Sequence, residues 1–193
     1  MLKTLSICDA HFRFMFFAIA FPPCSPCALL NNKETTMCRW GKECELKNTN
    51  TDIREAVVPF IRKFSKGVKM ASIGLLGFCW GGLMCFGCAG LDQTFTYSAI
   101  GTIHGAKLTG QLASKIKCPA MVCPSKDDPP FDDIKKVLDT KPFSKHCVYH
   151  NFTEQIHGFC AARGDWTKKE TKADVDKALG MMIEFFGKMA DYE

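Results

Sequence analysis

Between residues 72 and 82 the chain reads Ser-Ile-Gly-Leu-Leu-Gly-Phe-Cys-Trp-Gly-Gly, and this stretch limits the fold more tightly than any other. A short apolar run of strand type ends in Cys79, which Gly77 and Gly81 frame. That is the sequence form of a nucleophile elbow, in which a strand stops abruptly, a strained turn carries the reactive side chain and a helix starts straight after it. The framing glycines are required because a side chain there would collide with the neighbouring backbone. The turn aims the sulfur at a helix N-terminus, whose N–H groups and dipole favour a thiolate, the reactive form of cysteine. The same pattern also suits an inert, buried cysteine, so the rest of the chain has to decide.

At 193 residues the chain is one domain by length and long enough for a substantial core. A hydrophobic content of 47% with 23% charged residues is that of a soluble globular protein. The formal net charge of +5 comes from scattered lysines without a nucleic-acid motif, which argues against a nucleic-acid partner. The 12 cysteines do not follow loop spacings in the C-terminal part of the chain. Cys85, Cys88 and Cys123 lie inside apolar elements, as packed, reduced thiols of a cytoplasmic protein do.

Residues 1–50 form an atypical segment. Phe14 to Phe21 is an apolar run behind Lys3 and Arg13, too short to span a bilayer but compatible with a secretory signal. Cys24-Ser25-Pro26-Cys27 has the C-x-x-C form of a redox or zinc site, with only the loosely spaced Cys38 and Cys44 as further ligands. The favoured reading is a replaced or non-native segment standing where the first strands of the domain belong. The domain proper then spans 51–193. Thr51 to Lys66 is predicted as an amphipathic helix that Pro59 kinks, and Met70 to Leu76 as the strand before the elbow.

After the elbow, Gly81 to Gly90 is a small-residue helix and Phe95 to Ile103 a buried strand. Residues at the carboxyl ends of strands in an open α/β sheet line the ligand crevice, so His104 is a candidate to flank a substrate. Leu108 to Ile116 reads as a short helix or loop, Ala120 to Cys123 as a strand, Asp132 to Asp139 as a helix and Cys147 to Phe152 as a strand. Lys169 to Met189 is an amphipathic helix with Val175, Ala178, Leu179, Met182, Ile183, Phe185 and Phe186 on its apolar side.

GFCWGG after a strand, Ser125-Lys126-Asp127-Asp128 further on and Gln155-Ile156-His157-Gly158-Phe159 beyond that resemble the dienelactone hydrolase family of the α/β-hydrolase superfamily. The resemblance runs from about residue 51 to the C-terminus. It implies a three-layer α/β-hydrolase sandwich with a mostly parallel sheet, here with N-terminal strands apparently incomplete. It also implies a triad in the order Cys79, Asp127, His157, with Asp128 as the alternative acid. Both acids could instead merely cap the following helix. The backbone N–H of Trp80, the residue after the nucleophile, would be one oxyanion donor. Arg163 lies where several family members bind a substrate carboxylate, for which a planar guanidinium is suited.

The chemistry so implied is attack of a Cys79 thiolate on a lactone or carboxylic ester, passing through a thioester acyl-enzyme. It needs no metal and no organic cofactor; the partner is a small molecule, and the oligomeric state is left open. The family's second oxyanion donor and a glutamate that controls the cysteine come from the upstream region. No motif ties Glu34, Glu43 or Glu45 to that role. Two other classes compete: a non-catalytic binding protein built on an incomplete hydrolase, and a secreted or redox protein using the N-terminal cysteines.

Overall fold

The computed structural model describes residues 14–19, 46–60, 72–91 and 97–190. Five parallel strands form one sheet in sequential order: β1 (Phe14–Ile19), β2 (Ser72–Phe78), β3 (Ala99–Ile103), β4 (Ala120–Cys123) and β5 (Val148–Tyr149). The helices are α1 (Leu46–Asp52), α2 (Trp80–Leu91), α3 (Gly110–Lys115), α4 (Asp132–Asp139) and α5 (Lys169–Ala190), with a 3-10 turn at Ser144–His146.

The topology explains the layering. Strands that advance one place at a time across a parallel sheet, joined by right-handed crossovers, put every connecting helix on the same face. Here α1 to α4 share one face, over Ile73 and Leu75 of β2, Ile100 of β3 and Ala120 and Val122 of β4. The opposite face is left for α5, which follows the last strand. It buries Val175, Ala178, Phe185, Phe186 and Met189 against Leu76, Ala99, Ile103, Met121 and Cys123. Adjacent strand residues thus alternate between two cores, and because both faces are covered the strands read as unbroken apolar runs. Leu179 and Ile183, predicted on the apolar side of α5, are 36% and 61% exposed instead. The helix is longer than the narrow sheet can cover around its full apolar arc.

The sequence reading finds no strand before the one that leads to the elbow, and the structure adds one. Phe14–Ile19, the run compatible with a signal segment, pairs in parallel with β2 from Phe14 opposite Ser72 to Ile19 opposite Gly77. Its carboxyl end lies at the same edge of the sheet as Cys79. Cys24, Cys27, Cys38, Cys44, Glu34, Glu43 and Glu45 lie outside the described residues.

The predicted helix at Thr51 begins earlier, at Leu46, and widens into a π turn over Ile53–Val57, where the Val58 N–H reaches back to the Ile53 carbonyl. Pro59, next in line, has no N–H to give and crowds the carbonyl four residues back, and a widened turn relieves both problems. At the other edge, the predicted strand Cys147 to Phe152 is cut down to two residues plus an isolated bridge between Ser125 and Phe152. Among the described residues no helix is long and apolar enough to cross a membrane.

Candidate active site

Cys79 closes β2 in the left-handed region, at φ 55°, and α2 begins at the next residue. Non-glycine residues rarely occupy that region, and where they do the surrounding structure must hold them there. Two bonds do so: the Cys79 carbonyl accepts from the Gly82 N–H at 3.0 Å and from the Ala106 N–H at 2.9 Å. The turn is also closed by close approach. A Cβ on Gly77 would stand 2.1 Å from both the carbonyl carbon and the oxygen of Gly81, so only glycine fits. The Cys79 side chain is left exposed at the carboxyl edge of the sheet.

His157 comes to that sulfur from a loop after β5. Its Nε2 lies 3.1 Å from Cys79 Sγ, and its Nδ1 lies 2.5 Å from Asp128 Oδ1. The sequence reading chose Asp127 as this acid; the structure puts Asp128 there. The reason is a local turn. The N–H and O–H of Ser125 both donate to Asp128 Oδ2, each at 2.7 Å, and the Asp128 N–H returns to the Ser125 carbonyl at 3.1 Å. That grip directs Asp128 inward, with its side chain 2% exposed. Asp127, one residue earlier, accepts instead from the backbone N–H of His157 at 3.2 Å. The two carboxylates thus share His157, one holding the ring and the other the main chain. Neither caps α4, whose N-cap position is Phe131 with no side-chain bond.

The histidine loop is fastened at its base. The Phe152 N–H donates to Pro124, the Lys126 N–H to the Gln155 carbonyl, and the buried Gln155 side chain donates to Asp174 of α5 at 2.7 Å. Sequence reasoning missed this clamp and the Ser125 grip. The Ser-x-x-Asp spacing, the reach at which a side chain and a backbone N–H can bond reciprocally, was the available signal for the second. Gly158 follows His157 at φ 89° and turns the chain back. The aliphatic stem of Arg163 lies over it, within 3.2–3.3 Å of where a Gly158 Cβ would be. Arg163 is exposed and one residue removed from His157 through this contact. Trp80, first in α2, is partly buried, with the Lys107 ammonium 5.8 Å from its ring centroid.

His104 departs from its expected place. It ends β3 at φ 43°, its N–H donating to Cys123 at 2.8 Å, and its ring is fully buried rather than lining the crevice. The ring packs 5.2 Å from that of His157, edge to face, and 5.6 and 5.8 Å from Phe78 and Phe159. It therefore lies beneath the site, out of a substrate's reach. Both ring nitrogens lack hydrogen-bond partners, and burying such a group costs about 1–3 kcal/mol. Burial first, then the neighbouring His157, lowers its pKa to about 4.

Four of the other described thiols contrast with Cys79 in exposure. Cys85, Cys88, Cys118 and Cys123 are buried. Burial pushes the Cys118 and Cys123 thiols up to about 12 and Cys85 well above its ordinary value. Among the described residues no group of three or more ligating side chains could hold a metal ion.

A parallel sheet covered by helices on both faces, with a strained strand–helix turn at its carboxyl edge, gives the chain an α/β-hydrolase fold. The sequence profile of the dienelactone hydrolase family matches residues 31–190, and the chain belongs to that family. It is 28% identical over 116 residues to an AIM2 family protein of Schizosaccharomyces pombe, covering 59% of this chain and 46% of that one. To the carboxymethylenebutenolidase homolog of Mus musculus it is 23% identical over 164 residues, 80% of this chain and 62% of the relative. The chain thus spans between about half and three-fifths of these relatives' length. Among solved structures it is similar in fold to a dienelactone hydrolase-like promiscuous phosphotriesterase from metagenomic libraries. There the TM-score is 0.53 at 19% identity, over 81% of this chain and 67% of the other.

Proposed function

We propose that this chain is a cysteine-dependent hydrolase of lactones or carboxylic esters, with Cys79 as nucleophile, His157 as general base and Asp128 as the acid that orients it. The observation that carries this reading is the continuous row from Cys79 Sγ through His157 to Asp128, at 3.1 and 2.5 Å. Distances of that order are what proton transfer from nucleophile to base requires.

In the first half-reaction His157 Nε2 takes the Cys79 proton and the sulfur adds to the substrate carbonyl carbon. The oxyanion is met by the Trp80 N–H at the start of α2, where the helix dipole adds to the field. Collapse expels the alkoxide, which His157 reprotonates, and leaves a thioester on Cys79. In the second half-reaction His157 removes a proton from water, the hydroxide adds to the thioester, and collapse returns the thiol and releases the acid. Asp128 keeps the ring in the tautomer that presents a bare Nε2 to Cys79 and stabilises the imidazolium.

Arg163, carried on the loop that His157 begins, is the residue we assign to a substrate carboxylate. The family name and the mouse relative's name support a lactone as the first substrate to try.

The test is intact-mass spectrometry of the chain with p-nitrophenyl acetate, beside a Cys79→Ala control. A transient acetyl adduct that the control lacks, with nitrophenol released over many turnovers, is the expected result. A folded sample that forms no adduct would instead support a non-catalytic binding protein.

A further inference from the structure

His104 is a poor choice for the space it occupies. A phenylalanine would fill the gap between Phe78, Phe159 and His157 without leaving two ring nitrogens buried and unpartnered, and the left-handed backbone at this position adds a second cost. Unfavourable burial and backbone strain coincide in one residue, in ring contact with the candidate base. No described side chain offers either ring nitrogen a hydrogen bond, so the compensation should lie in a state that the resting arrangement does not contain.

That state is the one in which His157 is charged. When Cys79 gives up its proton, the imidazolium has Asp128 on one nitrogen and the thiolate on the other. On its buried side the ring meets His104, at 5.2 Å between centroids and 67° between planes. An aromatic ring rich in electrons, or a bare ring nitrogen, attracts a cation at that range, and more strongly on the buried side of the ring, where His104 lies, than in solution. We propose that His104 is a positioning residue that acts through His157, steadying the charged ring and with it the thiolate–imidazolium pair. The charged and titratable groups around it are His157 and Asp128, and burial together with His157 keeps His104 neutral at working pH. It therefore does not compete for the Cys79 proton.

The inference rests on the Cys79–His157–Asp128 reading, and the experiment separates the two. Alkylation of Cys79 by iodoacetamide is followed from pH 5 to 9, by peptide mass spectrometry, in the wild-type chain and in His104→Phe. We expect the wild-type Cys79 to be alkylated faster than a free cysteine at pH 6. His104→Phe should melt no lower than wild type, yet react about ten-fold more slowly at pH 6, its profile shifted towards that of a free thiol. Identical profiles in two folded proteins would show that His104 only fills space, and would overturn the inference while leaving the triad intact. A wild-type profile already like that of a free thiol would overturn both. Should His104→Phe fail to fold, NMR titration of the wild-type imidazoles decides: the His104 ring signals must move as His157 titrates while staying those of a neutral ring. Signals indifferent to His157 would refute the proposal.

Discussion

At the scale of single residues, the adjacent acids Asp127 and Asp128 have separable duties. Asp128→Asn keeps the shape but removes the charge behind the imidazole and permits the wrong tautomer, so turnover of p-nitrophenyl acetate should fall by about three to four orders of magnitude. Asp127→Asn loses only a bond to the His157 main chain, and a loss of a few-fold is expected in the same assay. His104 gives a prediction about stability. Its folded value near 4 lies below the ordinary 6.5, so between those limits the unfolded chain binds the extra proton. Stability is therefore intact above about pH 6.5 and lost as the pH falls towards 4, at up to about 1.4 kcal/mol per unit. Denaturant melts of wild type and His104→Phe from pH 7 to 4 should differ by that slope, the variant being flatter.

At the scale of elements, the turn between β2 and α2 depends on backbone contact rather than on side chains. Gly77→Ala would press a methyl group against the Gly81 carbonyl, which cannot swing aside as a side chain can. We expect a loss of at least about 3 kcal/mol, at or beyond the usual range for overpacking, seen as a lowered thermal midpoint. Any folded fraction should have lost rapid Cys79 alkylation. This element was legible in the sequence because glycine, cysteine and an apolar run leave it few alternatives. So were α4, whose bounds Asp132–Asp139 the pattern gave directly, and the place of the histidine loop. The choice between Asp127 and Asp128 was not legible from residue type. Two identical side chains one residue apart point in different directions, and the Ser125 grip that selects between them is a matter of geometry. His104 was misread for a related reason: a strand-end position says which edge of the sheet a residue occupies, not whether its ring points up into the crevice or down into the core.

At the scale of the whole molecule, the least legible part was β1. A short apolar run behind basic residues and ahead of Pro22-Pro23 looks the same whether it is a leader or a strand, and its partner β2 is more than fifty residues away in the chain. Its pairing makes a sharp prediction for hydrogen exchange. In native buffer the amides of Phe14–Ile19 that bond to β2 should be protected to an extent approaching those of β3. Exchange as fast as that of an exposed peptide would mean that β2 is the true edge of the sheet. Deleting residues 1–19 should then matter little; with β1 in place, the deletion should bare the β2 edge and lead to aggregation.

The seclusion of the core thiols gives the protein a built-in gauge of its own integrity. Because Cys85, Cys118 and Cys123 are shut away while Cys79 stands open, a brief pulse of maleimide marks the elbow in every intact molecule and the other three only in molecules that have come apart. The ratio of modified core peptide to modified elbow peptide therefore counts the damaged fraction of a preparation directly. Molecules that have lost activity can in this way be told apart from molecules that have lost their shape.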